Sequence, residues 1–102
     1  MEIAKVEINN EWQKVDALIQ TQASGQSAFA FDSNTTYQLQ AEGNFGVRLC
    51  VAADTPGEKD GVVIVGTQPA HFKVEEGKFL FAKSVGGLNS ALPLLDVSTI
   101  GE

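Results

Sequence analysis

Hydrophobic and polar residues alternate with period two over much of the chain. In "TYQLQAE", Tyr37, Leu39 and Ala41 share one side, and Gln38, Gln40 and Glu42 the other. "GVRLCVA" groups Val47, Leu49 and Val51, and "AHFKVE" sets Ala70, Phe72 and Val74 against His71, Lys73 and Glu75. "EIAKVEI" alternates in the same way, and "SAFAFD" puts Phe29 and Phe31 opposite two alanines. Successive side chains of a strand face opposite ways, so this alternation predicts half-buried strands. "VVIV", residues 62–65, is an unbroken β-branched run and predicts a strand covered on both faces.

Turn chemistry falls between these runs. "FDSNTT", "AEGNFG", "ADTPGEKDG", "GTQP", "EEGK" and "SVGG" supply Gly, Asn, Asp and Pro where the backbone must reverse. Turns spaced about 8–12 residues apart predict an all-β fold. We expect one antiparallel β-sandwich, or a jelly-roll-like barrel, of about 7–9 short strands. No repeat or linker divides residues 1–102, which read as one domain.

Three segments need separate treatment. "NEWQKVDALIQ" fits a helix with Trp12, Val15 and Ile19 on one face, and with Asn10 as cap three residues before Gln13. It also fits a strand with Val15, Ala17 and Ile19 inward. The strand is preferred, because an opening hairpin turning near Asn9-Asn10 would continue the first alternating run. In "EEGKFLFAKSVGG", Phe79 and Phe81 face one way, Leu80 and Ala82 the other. Both faces are apolar, so this strand needs two covers, the second sheet and something else. Residues 88–102 crowd Leu88, Leu92, Leu94 and Leu95 around Pro93 and predict a C-terminal edge strand or arm, since proline cannot donate to a ladder.

Charge narrows the function classes. The net charge is −6 and the pI about 4.6. A nucleic-acid binder needs Lys and Arg to replace phosphate counterions, and an anionic membrane surface attracts the same residues. Neither partner is expected. No apolar run approaches the ~20 residues that span a bilayer, and "MEIAKVEINNEW" lacks the basic and apolar regions of a signal peptide. Cys50 is the single cysteine, so no internal disulfide forms; its apolar neighbours predict a buried, inert thiol.

The search for catalytic chemistry returns little. His71 is the only histidine and is expected to face solvent or an interface. One His and one Cys supply no zinc-ligand spacing. Asp54, Glu58 and Asp60 cluster in a loop without the alternating oxygen ligands of an EF-hand. Asp32 in "FDSN" reads as an Asx-turn residue. No dinucleotide or phosphate-loop motif follows any strand. Trp12 and Tyr37 are the candidates for stacking a ligand such as a sugar, with core packing as the competing use. No catalytic residue, metal or cofactor is expected.

"EWQKVDALI", "TYQLQAEGNFGVRLCVAADTP", "GVVI" and "GKFLFAKSVGGLNSALPLLDV" follow one another in an order that covers most of the chain. In this order the sequence resembles small β-rich virion structural proteins of tailed bacteriophages. The resemblance implies a non-enzymatic capsid-decoration, head-fibre-base or tail-adaptor subunit. It implies a homo-oligomer, a trimer or ring, that docks on other virion proteins. The protein would be made in the host cytoplasm and would reside in the virion. The resemblance carries over no catalytic residues. The expected interface residues are Phe79, Leu80, Phe81, Leu88, Leu92, Leu94 and Leu95. The alternative is a small carbohydrate- or protein-binding sandwich that uses Trp12 or Tyr37.

Overall fold

Most of the alternating runs become strands. The computed structural model describes residues 2–42, 46–65, 69–85 and 94–99. In chain order the elements are β1 (Glu2–Glu7), β2 (Gln13–Lys14), α1 (Val15–Gln22), β3 (Tyr37–Glu42), β4 (Gly46–Ala52), β5 (Val62–Val65), β6 (Ala70–Phe72), β7 (Phe79–Ser84) and β8 (Leu94–Thr99). Two four-stranded antiparallel sheets pack together. Sheet A has the order β1-β8-β3-β6 and sheet B the order β2-β7-β4-β5.

One rule generates this topology. β1 pairs with β8, β2 with β7, β3 with β6 and β4 with β5. The chain is thus a long double strand folded over, with its middle at the loop after β4. The β3–β8 and β4–β7 pairings then join neighbouring strands of the wrapped ribbon into the two sheets. This is a jelly roll, an all-β sandwich that buries one face of each sheet against the other.

The core follows from the alternation. Val6, Ile8, Leu39, Leu95 and Val97 project from the sheet A side, and Val47, Leu49 and Leu80 from sheet B; all are fully buried. Removing each Val or Leu side chain from water stabilises the fold by about 1.5–3 kcal/mol. Tyr37 is also buried, and its hydroxyl accepts a 2.8 Å hydrogen bond from the Asp32 backbone N–H. That bond anchors the Asx turn expected in "FDSN", where Asn34 N–H donates to Asp32 Oδ1 at 2.9 Å.

Several expectations are corrected. Residues 15–22 are a helix, not a strand. Val15, Leu18 and Ile19 form its buried stripe, and Lys14 rather than Asn10 precedes its first turn. No hairpin turns at Asn9-Asn10: the Asn9 carbonyl accepts from Ser84 N–H at 2.8 Å, which carries the chain across to sheet B. Residues 27–32 form no strand, although Phe29 and Phe31 still pack against the core. β5 is an edge strand, with Val62 and Val63 exposed and Ile64 buried. β8 is neither an edge strand nor an arm, because β1 and β3 pair with its two sides. Pro93 lies outside the described residues, and the strand begins after it.

Of the three glycines with positive φ among the described residues, Gly77 and Gly61 differ in what surrounds them. Gly77 sits at φ +83 in the "EEGK" turn that carries the chain from β6 of sheet A to β7 of sheet B, and a Cβ there would meet nothing within 4 Å. Gly61 holds φ +88 with its backbone pressed against β4, so that a Cβ would collide with the Leu49 carbonyl. Gly77→Ala should therefore cost only the left-handed penalty, about 1–2 kcal/mol. Gly61→Ala should cost clearly more, because backbone must also move. Urea denaturation of both variants checks this; equal losses would contradict the close approach at Gly61.

Candidate functional site

The chemistry-bearing residues fall into four places. The first is the outer face of sheet B. Phe79, Phe81 and Lys83 alternate with the inward Leu80 and Ala82 on β7, and Lys14 of β2 is paired with Phe81. Phe81 faces outward, yet only 3% of it is exposed. Trp12 closes it off, edge-on to its ring at 6.5 Å. The indole N–H donates to the Gly57 carbonyl at 3.1 Å, which pins Trp12 to the loop between β4 and β5. Arg48 reaches the same loop through the Lys59 and Asp60 carbonyls, at 3.1 and 3.4 Å. The second cover that β7 requires is therefore the chain's own Trp12. Lys14 Nζ sits 3.8 Å above the Phe79 ring, and Lys83 Nζ 5.1 Å from the Trp12 ring. A cation over an aromatic face contributes about 0.5–1 kcal/mol at exposed sites.

The second is an open groove of about 410 Å³ at the start of β7. Phe31 and Phe79 give it an apolar floor, and Asp16, Asp32, Glu75 and Glu76 give it an acidic rim. Lys78, also on the rim, is tied to Glu75 at 3.0 Å.

The third is the outer face of sheet A, which is polar. Lys5 pairs with Glu42 at 3.1 Å, and their hydrogen bond and charges push the lysine pKa up. Asp96 lies opposite Lys5 in the ladder, and its buried Oδ1 has no hydrogen-bond partner among the described residues. Burial first, then a hydrogen bond to Asp96 and that carboxylate's charge, raise the Glu2 carboxyl above its ordinary 4.5. His71 is exposed on β6, opposite Gln38. Among the described residues, no group of three or more His, Cys, Asp or Glu converges as metal ligands.

The fourth is the side of β5 that no described strand pairs, where Val62 is 52% and Val63 43% exposed.

The expected site residues are scattered by this arrangement. Leu80, Phe81 and Leu95 are buried within the domain and present no surface to a partner. Their burial corrects the expectation that they line an interface, since the second sheet and Trp12 use them first. Phe79 and Leu94 are half-buried, on opposite sheets. Leu88 and Leu92 lie outside the described residues. Tyr37 faces the core and cannot stack a ligand; Trp12 is half-buried and occupied by Phe81 and Gly57. Cys50 is half-buried rather than buried, and burial followed by the Asp60 charge raises its thiol pKa, which keeps it protonated. Sequence reasoning missed the β5 valines, because a β-branched run reads as doubly covered. It also missed the carboxyl pair Glu2 and Asp96, which lie near opposite ends of the chain and meet only when β8 docks beside β1.

No protein-family model matches the chain, and no curated protein or solved structure matches it.

Two measurements test these assignments. Trp12→Ala should uncover Phe81 and destabilise the fold by about 3–5 kcal/mol, the range for removing a packed Trp. Trp12→Phe, which loses the bond to Gly57, should cost less; a negligible effect of Trp12→Ala on chemical denaturation would refute its role as the cover. The raised Glu2 pKa means that its proton favours the folded state. That contribution is fully present below the unfolded pKa and is lost as pH rises through the folded one. Asp96→Asn should lower the Glu2 titration part of the way to 4.5, leaving the effect of burial. Carboxyl NMR titration reads the shift, and an unmoved Glu2 would exclude the pairing.

Proposed function

We propose that the protein is a non-enzymatic structural component of a tailed-bacteriophage virion, which associates with copies of itself and docks on capsid or tail proteins. The observation that carries the self-association is the β5 edge: among the described residues no strand pairs with its outer side, and it has two exposed valines and no charge. An unpaired row of backbone N–H and C=O groups beside apolar side chains is a template for another strand. The virion part of the reading rests on the sequence resemblance. The jelly roll is in keeping with it, since that architecture serves viral capsid proteins, although it serves lectins and cupins too. The negative charge keeps free subunits apart from nucleic acid and from non-specific contacts until a complementary surface is met.

Mass spectrometry of purified particles of the encoding phage tests the reading. The chain should be present at a fixed ratio to the major capsid protein, and its absence from particles would sink the virion role.

The groove favours a second reading, a binding module. Its ligand would lie on Phe31 and Phe79 against the acidic rim, rather than on Trp12 and Tyr37. A glycan array and a peptide array, each compared with a Phe79→Ala variant, test it; no binder on either array would remove it.

A further inference from the structure

The four sheet edges are not alike. β1 carries Glu2, Lys5 and Glu7, and its ladder shifts register between Glu2 and Ala4. The Gln22 amide of α1 also clips its end, accepting from Glu7 N–H at 2.8 Å and donating to the Glu7 carbonyl at 3.2 Å. β2 has two residues, one of them Lys14. β6 has three, with the exposed His71 in the middle and Lys73 directly after. Charge, brevity, irregularity and side-chain cover are the devices that prevent strands from pairing with a stranger. Among the described residues β5 has none of them: it is four residues long, uncharged and β-branched throughout.

From this contrast we propose that β5 pairs with β5 of a second copy, antiparallel across a two-fold axis, so that the two four-stranded B sheets become one continuous sheet. The proposal rests on the self-association read above and names its surface. A second β5 is the best-fitting occupant because it adds no charge to the contact, whereas β1, β2 and β6 would each bring or adjoin one. Directly opposite residues of an antiparallel pair share a face, as Arg48 and Val63 do in the β4–β5 ladder. The two-fold must therefore pass between a residue and its own copy. Centring it on Val63 sets each Val63 against its copy and each Val62 against Ile64 of the other chain. The exposed valines of both copies then lose their water. Closure by a two-fold leaves no β5 edge free, so the contact ends at a dimer and does not run on as a fibre.

The test uses sedimentation of the whole chain and of two charge variants. The wild type should sediment as a dimer at high concentration. Val63→Lys alone and Val63→Glu alone place like charges opposite each other, and each should weaken dimerisation on the order of tenfold or more. Mixed in equal amounts, the two variants should recover the dimer, because the introduced ammonium of one then meets the introduced carboxylate of the other. Val63 is exposed, and unchanged denaturation midpoints for both variants establish that they fold. A wild type that stays monomeric overturns both the pairing and the self-association it rests on. Variants that dimerise like the wild type overturn β5 as the surface while self-association stands. Loss of the dimer without recovery on mixing excludes β5-to-β5 pairing and points to a strand of another kind on this edge.

Discussion

β7 is the strand on which the rest of the molecule depends, because it is buried on both sides. Leu80 and Ala82 fill the space between the sheets, while Phe81, on the outward face, would be left in water by a simple sandwich. Trp12 removes that exposure and is itself held by the Gly57 carbonyl. The segment before the helix and the loop after β4 are thereby fastened to the same aromatic ring. Two loops that would otherwise be independent take their positions from one apolar contact. α1 follows directly, since it starts where β2 leaves the edge of β7.

Charge is distributed to suit this frame. The strands of sheet B contribute Lys14, Arg48 and Lys83 to its outer face and no carboxylate, while the carboxylates near them belong to the covering loop. Sheet A carries Glu2, Glu7, Glu42 and Asp96 around a single Lys5 on its outward positions. Lys5 pairs with Glu42, and burial, followed by the hydrogen bond and charge of Asp96, raises the Glu2 pKa.

Much of the fold was legible in the sequence where alternation was clean. β1, β3, β4, β6 and β7 lie on the runs that predict them, with Tyr37, Leu39 and Ala41 inward as read. The failures share a cause. "VVIV" has the composition of a doubly covered strand, but coverage is set by which strands neighbour it, and among the described residues β5 has only β4. The leucines after Pro93 have the composition of an exposed arm, but β8 is flanked on both sides. Residues 15–22 satisfy both periods over so short a span, and packing against β1 and β7 decides for the helix. The candidate site was less legible still. The cover of Phe81, the groove and the carboxyl pair each join residues far apart in sequence, and local pattern carries no information about such meetings.

The wrapped-ribbon pairing has a consequence in time. β4 and β5 are joined by a single loop; the other partners of the ribbon are separated by an ever longer stretch of chain, until β1 must wait for β8. β8 fills the middle of sheet A, so β1 and β3 have no common neighbour before it arrives. Each closure spends chain entropy before its contacts form, which puts such topologies among the slow folders, in roughly the millisecond-to-second range. During synthesis the first half of the jelly roll therefore emerges without its central partner. Loop closure is cheapest for β4–β5 and costliest for β1–β8, so chain separation favours closing the ribbon from the middle of the sequence outward.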